Sequence, residues 1–358
     1  MSLMSGLVLL DFGVLGLQQV ERQQIPDGYV EIKVSYTGIC GSDIHGFTGE
    51  NGRRFPGQIM GHETEGVIAG QGAGVSSEKF PTGQRVTFNP VVLPEDELGR
   101  FQGREQHSPQ KFVIGVKSDY SAAFAEYVNV PARNVVPLNP AVKPGVGALV
   151  EPLAVAVHAV NRAQVAPGQV VLVCGGGPIG QSIVVALKRR GVRDIIVSEP
   201  HPDRRELLER LGASTVDPGS SNKTLADSVI ETFGVSAAVG FDAVGISDTL
   251  NACLEAVELG GTLCLVGMGS PRLEVDAFAI STAERSVIGS FTYSFTAFLE
   301  AAEIASDTTS GLEQLIGQVV SPTEAPDMFT ALAAGQGPAG KVLVNFASEN
   351  QRESEASE

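Results

Sequence analysis

A strand, a glycine-rich turn and a helix follow one another in the second half of this 358-residue chain. Residues 170–174 read Val-Val-Leu-Val-Cys, residues 175–180 read Gly-Gly-Gly-Pro-Ile-Gly, and a helical pattern covers residues 178–190. A strand that is apolar at every position has to be covered on both faces, as in a parallel sheet. Strand and helix patterns continue to alternate as far as a strand at residues 286–289. The alternation predicts a doubly wound parallel α/β sheet over residues 151–289.

The turn has the spacing G-x-G-x-x-G at Gly175, Gly177 and Gly180. In a Rossmann fold the first glycine permits the tight turn, the second lets the backbone approach a pyrophosphate, and the third lets helix and strand pack closely. The helix N-terminus adds unpaired N–H groups and the positive end of its dipole. A dinucleotide site is therefore predicted here, and Pro178 and Ile179 at the start of the helix belong to it.

Glu199 lies 19 residues beyond Gly180, at the end of the next predicted strand. A carboxylate at this place binds the ribose hydroxyls of NAD and repels the 2′-phosphate of NADP, so the sequence favours NAD. Arg204 and Arg205 follow closely, and either could meet a phosphate, which weakens the preference. The predicted cofactor-binding set also includes Arg204 and Val266. Val266 is the last residue of a later predicted strand.

The first part of the chain has a different sequence pattern. Short apolar stretches with frequent Gly and Pro predict a mostly β domain over residues 1–150, a small barrel or folded sheet. Beyond the parallel sheet we predict helices at residues 296–305 and 310–319, then an edge strand at residues 340–346. This strand is expected to return to the first domain, which would comprise residues 1–150 plus 290–346. Residues 347–358 are polar and acidic and predict a disordered tail.

Charge and cysteine usage exclude several functions. The net charge of −16 disfavours binding to nucleic acid or to anionic membranes. The four cysteines have scattered positions, which indicates no disulfide framework, and three of them lie in apolar stretches typical of buried thiols. No segment has the length and apolarity of a membrane span, and no signal-peptide pattern is visible, so a cytoplasmic enzyme is expected.

Cys40 lies among glycines and polar residues, and His62-Glu63 follow within the run Gly-His-Glu-Thr-Glu-Gly. A thiolate, an imidazole and carboxylates are ligands of zinc. Zinc polarises a bound oxygen, and together with a nicotinamide cofactor it favours hydride exchange with an alcohol or carbonyl.

Several motifs together resemble the medium-chain zinc-dependent alcohol dehydrogenases. The run at residues 61–66, followed by Gly72 and Val75, resembles the zinc signature of that family, and residues 38–43, Gly-Ile-Cys-Gly-Ser-Asp, resemble the segment with the first ligand. Residues 151–159 are similar to a later metal-site segment, and the resemblance extends over residues 7–346. A glutamate at position 151 and the Cys-Gly-Ser-Asp run are similar to the polyol (sorbitol-like), butanediol and sugar-alcohol branch.

The resemblance implies a GroES-like catalytic domain with an inserted Rossmann domain, and a homodimer or homotetramer. It implies that Cys40 and His62 bind zinc, that Glu63 is a third ligand or exchanges with water, and that Glu151 binds directly or through water. It further implies that Asp43 orients His62. Ser42 would take the proton of the substrate hydroxyl, and His45 would deliver that proton to solvent.

One departure concerns the loop from Asn89 to Gly115. Many members of the family hold a second, structural zinc there on four cysteines, and this loop contains no cysteine. We therefore predict one catalytic zinc for each chain and a loop held by packing.

The substrate is the least constrained feature. Residues 286–340 contain no Lys or Arg, so a phosphorylated substrate lacks an obvious partner there. Arg53 and Arg54 could reach a phosphate or carboxylate, but such a pair is more often a solvated loop. A neutral polyol or secondary alcohol is the first prediction, and a sugar-alcohol phosphate is the second. A zinc-free, NADPH-dependent quinone or enoyl reductase and a non-catalytic protein of the same fold are the remaining alternatives.

Overall fold

The computed structural model describes residues 2–50, 52–220 and 222–347, and the chain forms two compact units. Of the described residues, those up to 151 and from 305 onwards belong to the first unit, and those from 152 to 304 belong to the second. The contacts thus group residues 290–304 with the second unit. The predicted acidic tail lies outside the described residues except for Ala347. No helix of the described chain is both long and apolar enough to cross a membrane.

The described chain contains strands, helices and short 3₁₀ turns. The strands are β1 (Leu3–Asp11), β2 (Val14–Glu21), β3 (Tyr29–Gly38), β4 (Glu63–Gln71), β5 (Arg85–Phe88), β6 (Val91–Val92), β7 (Phe112–Val113), β8 (Tyr127–Pro131), β9 (Val135–Pro137), β10 (Val171–Cys174), β11 (Ile195–Ser198), β12 (Ser214–Val216), β13 (Ala237–Asp242), β14 (Val257–Leu265), β15 (Ser286–Gly289), β16 (Ile316–Val320) and β17 (Lys341–Asn345). The helices are α1 (Gly41–Phe47), α2 (Val150–Arg162), α3 (Pro178–Arg189), α4 (Pro202–Arg210), α5 (Leu225–Phe233), α6 (Ser247–Ala256), α7 (Ala277–Ser281), α8 (Phe295–Ser306) and α9 (Ala325–Ala333). The 3₁₀ turns are Glu95–Glu97, Glu105–His107, Ala132–Asn134, Val146–Leu149 and Leu312–Leu315.

The second unit is built on a six-stranded parallel sheet in the order β12-β11-β10-β13-β14-β15. This is the strand order of a doubly wound nucleotide-binding sheet, with β10 at the centre. All four residues of β10 are buried, because helices cover both faces of such a sheet. The prediction of a doubly wound parallel sheet from continuously apolar strands is therefore confirmed.

The first unit contains a seven-stranded sheet in the order β16-β17-β3-β4-β5-β9, with β8 paired to β3 as well. Val30, Ile32 and Val34 of β3 are at most 1% exposed and face the apolar core, as their alternation predicted. β3 and β4 are antiparallel, and their register places Gly38 opposite Glu63. The end of one strand therefore lies beside the start of the next, where the candidate metal ligands are found.

Two predictions for the C-terminal part are wrong. Residues 310–319 do not form a helix, because Gly311 adopts a left-handed φ of 72° and only a 3₁₀ turn follows before β16 begins. The β-branched Ile316, Val319 and Val320 favour that strand. β17 is not an edge strand either, since it is parallel to β16 on one side and antiparallel to β3 on the other.

The cysteine-free loop after β5 is closed by a buried carboxylate and not by packing alone. Glu97 is 3% exposed. It accepts hydrogen bonds from Ser108 Oγ and, at 3.2 Å, from Gln110 Nε2. A charged acceptor is worth more than a neutral one, and the two donors come from the far end of the loop. Glu97 therefore joins the two ends of the segment between β6 and β7.

We expect Glu97→Ala to lower the free energy of unfolding by about 1–3 kcal/mol, because Ser108 and Gln110 would be left without their buried acceptor. Urea unfolding followed by circular dichroism would measure the change. Glu95→Ala is the matched control, since Glu95 lies in the same 3₁₀ turn but is exposed. Equal stability of the two variants would show that packing alone holds the loop.

Candidate metal centre and cofactor site

Three side chains with metal-binding atoms meet in the first unit. Cys40 directly precedes α1, and His62 and Glu63 stand at the start of β4. One ligand atom from each of the three lies within 4.8 Å of the others. His62 and Glu63 are 5% and 1% exposed, whereas Cys40 is half-buried. Three of the four predicted ligands are therefore close enough to share one ion.

The backbone before His62 requires a glycine. Gly61 has a φ of +100°, and a Cβ atom there would lie 2.7 Å from the backbone nitrogen of Phe124. That nitrogen donates to the carbonyl of Met60 at 2.8 Å, so the two segments cannot separate to make room without losing the bond. Gly61 thereby fixes the direction in which His62 leaves the backbone.

Asp43 connects the two ligand segments. It is fully buried, and its Oδ2 accepts from the backbone nitrogen of Cys40 at 3.2 Å. Its Oδ1 lies 3.6 Å from Nδ1 of His62. Since Nδ1 faces this carboxylate, Nε2 is the ring nitrogen left for a metal, an arrangement common to metal-binding histidines. The position of Asp43 agrees with its predicted role of orienting His62.

The surroundings of His62 favour its charged form in the metal-free protein. Burial lowers the pKa of His62, but the neighbouring Asp43, Cys40 and Glu151 outweigh this effect and raise the pKa to about 10. At neutral pH a proton therefore occupies the imidazole until a metal cation replaces it.

Glu63 is held by a lysine that sequence reasoning missed. Lys341 is 4% exposed, and its Nζ donates to Glu63 Oε1 at 2.7 Å and to the carbonyl of Ile39 at 3.3 Å. Burial lowers the pKa of Lys341, but Glu63 and Cys40 raise it above the ordinary value, so the ammonium stays charged. The only available signal was a cation opening an otherwise apolar strand.

The second oxygen of Glu63 fits a metal ligand. Oε2 is buried and has no hydrogen-bond partner among the described residues. It lies against Gly38, where a Cβ atom would approach it to 2.2 Å. A sulfur, an imidazole nitrogen and an unpartnered carboxylate oxygen form a donor set suited to Zn²⁺.

The prediction of a solvated arginine pair is wrong for Arg54. Arg53 is exposed, but Arg54 is 1% exposed, and its Nη2 lies 3.4 Å from Oδ1 of Asp43. The sequence contains no pattern that distinguishes the two arginines, because both stand in a loop without regular periodicity. Only the fold brings Arg54 onto Asp43.

The other predicted site residues take different positions. Glu151 lies in the first turn of α2 and is 8% exposed. Its charge helps to raise the pKa of His62 and of Lys341. It does not belong to the group of Cys40, His62 and Glu63, whose ligand atoms lie within 4.8 Å of one another. Ser42 is half-buried at the start of α1. His45 is exposed on the same helix, and its Nδ1 lies 2.8 Å from Oε2 of Glu50.

In the second unit, the glycine-rich turn has the geometry that the sequence predicted. Gly175 has a φ of +95°, and a Cβ atom on Gly180 would lie 1.9 Å from the carbonyl oxygen of Gly175. Gly177 caps α3, whose first residues are Pro178 and Ile179. The backbone can therefore approach a ligand closely at the N-terminus of the helix.

Glu199 lines a cavity of about 450 Å³ together with Gly175 and Arg204. It is 2% exposed, its Oε2 accepts from the nitrogen of Gly176 at 2.8 Å, and its Oε1 accepts from the nitrogen of His201 at 2.9 Å. Nη1 of Arg204 lies 3.8 Å from Oε2. Val266, the remaining predicted residue, is half-buried just after β14 and does not belong to this lining.

Comparison with known proteins places both units in one family. Residues 26–140 match the alcohol dehydrogenase GroES-like domain, and residues 178–307 match the zinc-binding dehydrogenase domain. L-galactonate-5-dehydrogenase of Escherichia coli is 33% identical over 75% of this chain and 78% of its own length. A probable D-xylulose reductase A of Aspergillus terreus is 30% identical over 92% of this chain and 96% of its own.

A solved structure agrees with these relatives. The crystal structure of 2R,3R-butanediol dehydrogenase from Bacillus subtilis covers 96% of this chain and 99% of its own, with a TM-score of 0.86 and 27% identity. The chain belongs to the medium-chain zinc alcohol and polyol dehydrogenase family. It is an oxidoreductase of the alcohol and polyol dehydrogenase type, and the predicted GroES-like and Rossmann domains are confirmed.

We expect the His62 resonance of the metal-free protein to titrate with a pKa near 10, far above the ordinary 6.5. Because the pKa is raised on folding, the stabilisation from this charge is complete below about pH 6.5 and is lost as the pH rises through about 10. Imidazole NMR signals recorded from pH 5 to 11, with His62→Asn for assignment, would test this. A midpoint near 6.5 would contradict the inferred influence of Asp43.

Proposed function

We propose that this chain is a zinc- and NAD-dependent dehydrogenase of neutral polyols or secondary alcohols. The main support for the proposal is that one ligand atom each of Cys40, His62 and Glu63 lies within 4.8 Å of the others. Such a donor set is typical of a zinc site, and a zinc-free reductase would lack it. The strand, glycine turn and helix of the second unit support a nicotinamide dinucleotide as the hydride acceptor. We propose one zinc ion for each chain.

The chain's own residues would divide the chemistry as follows. A bound Zn²⁺ supplies Lewis acidity that lowers the pKa of a substrate hydroxyl. Cys40 and His62 would hold the ion, and Glu63 and Glu151 would hold it directly or exchange with water. Ser42 would take the hydroxyl proton, and His45, exposed and paired with Glu50, would release that proton to solvent.

The buried position of Arg54 supports an uncharged substrate. Of the two arginines that could have met a phosphate, Arg54 is committed to Asp43, so Arg53 is the one that could still do so. A single exposed cation offers less than the several donors that usually hold a phosphate. A sugar-alcohol phosphate therefore remains the second candidate.

We expect NADH formation with NAD at about pH 9 with at least one of sorbitol, xylitol and butanediol. Turnover should disappear after removal of the metal by a chelator and return on addition of Zn²⁺. Absorbance at the NADH band is the readout, with galactitol 1-phosphate as the comparison substrate. Unchanged turnover in a sample shown to be free of metal would favour the zinc-free reductase, and turnover of the phosphorylated substrate alone would favour the second candidate.

We expect kcat/KM with NAD to exceed that with NADP by about tenfold or more, since Glu199 would face the 2′-phosphate with a like charge. Glu199→Gln keeps one acceptor oxygen but removes the charge, and should bring kcat/KM with NADP closer to kcat/KM with NAD. Arg204→Met should lower the remaining NADP activity. Equal or greater kcat/KM with NADP in the unmodified protein would contradict the NAD proposal.

A homodimer or homotetramer in the cytoplasm is part of the same proposal. It is supported by the family resemblance, and size-exclusion chromatography with light scattering would measure the oligomeric state.

A further inference from the structure

Asp43 is an anion with no exposed surface, and three groups share its two oxygen atoms. Oδ2 accepts from the backbone of Cys40, while Oδ1 lies 3.6 Å from His62 Nδ1 and 3.4 Å from Arg54 Nη2. A carboxylate in such surroundings keeps its charge only if a cation accompanies it. When His62 is a neutral metal ligand, Arg54 is the partner that supplies this charge.

The fold makes room for Arg54 at one specific position. A Cβ atom on Gly46 would lie 2.2 Å from Cγ and 3.0 Å from Cβ of Arg54. The absence of a side chain at position 46 therefore lets the arginine stem cross α1 and reach Asp43. A Cβ atom on Gly41, on the same helix, would meet no such neighbour within 4 Å, so the requirement is local to Gly46.

Arg54 approaches Asp43 with one nitrogen only. Nη2 makes the contact at 3.4 Å, whereas Nε is buried without a hydrogen-bond partner among the described residues. The interaction therefore depends on the presence of a positive charge more than on the two-pronged geometry of a guanidinium group. A lysine at position 54 is expected to preserve much of it.

We propose that Arg54 is a positioning residue of the metal centre, which acts through Asp43 to hold the imidazole of His62 and the backbone of Cys40 in place for the ion. Gly46 is also required, because only a residue without a side chain leaves space for Arg54 at that position. The proposal rests on the proposed zinc-dependent function, but it concerns how firmly the ion is held and does not depend on the identity of the substrate.

The test compares Arg54→Met, Arg54→Lys and Arg53→Met in the full-length holoenzyme. Zinc release would be followed at fixed pH with a chromogenic chelator in excess. We expect Arg54→Met to release zinc about 10- to 100-fold faster, because loss of a group that supports a metal ligand typically weakens metal affinity by that factor. Arg54→Lys should restore most of the retention, and the exposed Arg53→Met should release zinc at the unmodified rate.

A spectroscopic measurement separates positioning from a general loss of stability. In the Co²⁺-substituted protein, we expect the visible ligand-field bands to shift in Arg54→Met and to return in Arg54→Lys. Identical bands in all variants, or equally rapid zinc release from the Met and Lys variants, would overturn the proposal.

Gly46→Ala provides an independent route to the same defect. The new methyl group should displace Arg54 and speed zinc release as Arg54→Met does. The variant that combines both changes should release zinc no faster than either single variant. Gly41→Ala is the matched control on α1 and should retain zinc normally. Additive effects of the Gly46 and Arg54 changes would contradict the inferred contact.

Arg54→Met could fail to fold because it leaves Asp43 buried without its cation. Asp43→Asn combined with Arg54→Met removes both charges and should fold. Its zinc release should match that of Asp43→Asn alone, and a further increase would overturn action through Asp43. An unmodified protein that neither holds zinc nor turns over alcohols would refute the proposed function itself. Normal zinc retention in the unmodified protein and in folded Arg54→Met would refute only the role of Arg54.

Discussion

The pairing of β3 with β4 at Gly38 and Glu63 is the contact on which the candidate metal centre depends. It places the segment after β3, which carries Cys40, beside the residues that open β4. Gly38 is required because the carboxylate of Glu63 occupies the space of a side chain. β17 continues the sheet on the other side of β3 and contributes Lys341 to that carboxylate. The same hydrogen-bonded sheet thus brings together the two ligand segments and the lysine that binds Glu63, from three distant parts of the sequence.

Charge balance explains why two cations are buried beside the ligands. Asp43 and Glu63 are almost fully buried anions, and each has its own cation, Arg54 and Lys341 respectively. Removing one partner of such a buried pair usually costs about 3–5 kcal/mol, whereas an exposed pair such as Lys143–Glu313 is worth about 0–1 kcal/mol. Because each pair neutralises itself, neither buried carboxylate is left as an uncompensated charge in the interior.

The sequence predicted features that depend on local pattern, and it missed those that depend on distant contacts. The apolar run predicts strand β10, and the glycine spacing predicts the turn at Gly175, without reference to the rest of the chain. Residues 310–319 were predicted as helix, but Gly311 is left-handed there, and the β-branched residues that follow pair with β17 instead. Arg54 carries no local signal, and the signal at Lys341 is only a cation at the start of an apolar strand, because the burial of both follows from the approach of Asp43 and Glu63. A charged residue that a fold buries is invisible until its partner is known.

Glu199 shows how a residue predicted to bind the cofactor can also be required by the fold. Its two oxygens already accept from the backbone of Gly176 and His201, so the carboxylate holds the glycine turn and the strand end together. Each carboxylate oxygen has two lone pairs, and capacity remains for ribose hydroxyls. A change of cofactor preference at this position must therefore preserve an acceptor for two backbone groups. Glutamine keeps the shape but has a single acceptor oxygen, so its amide group would lose one of the two backbone hydrogen bonds, and a smaller residue would lose both.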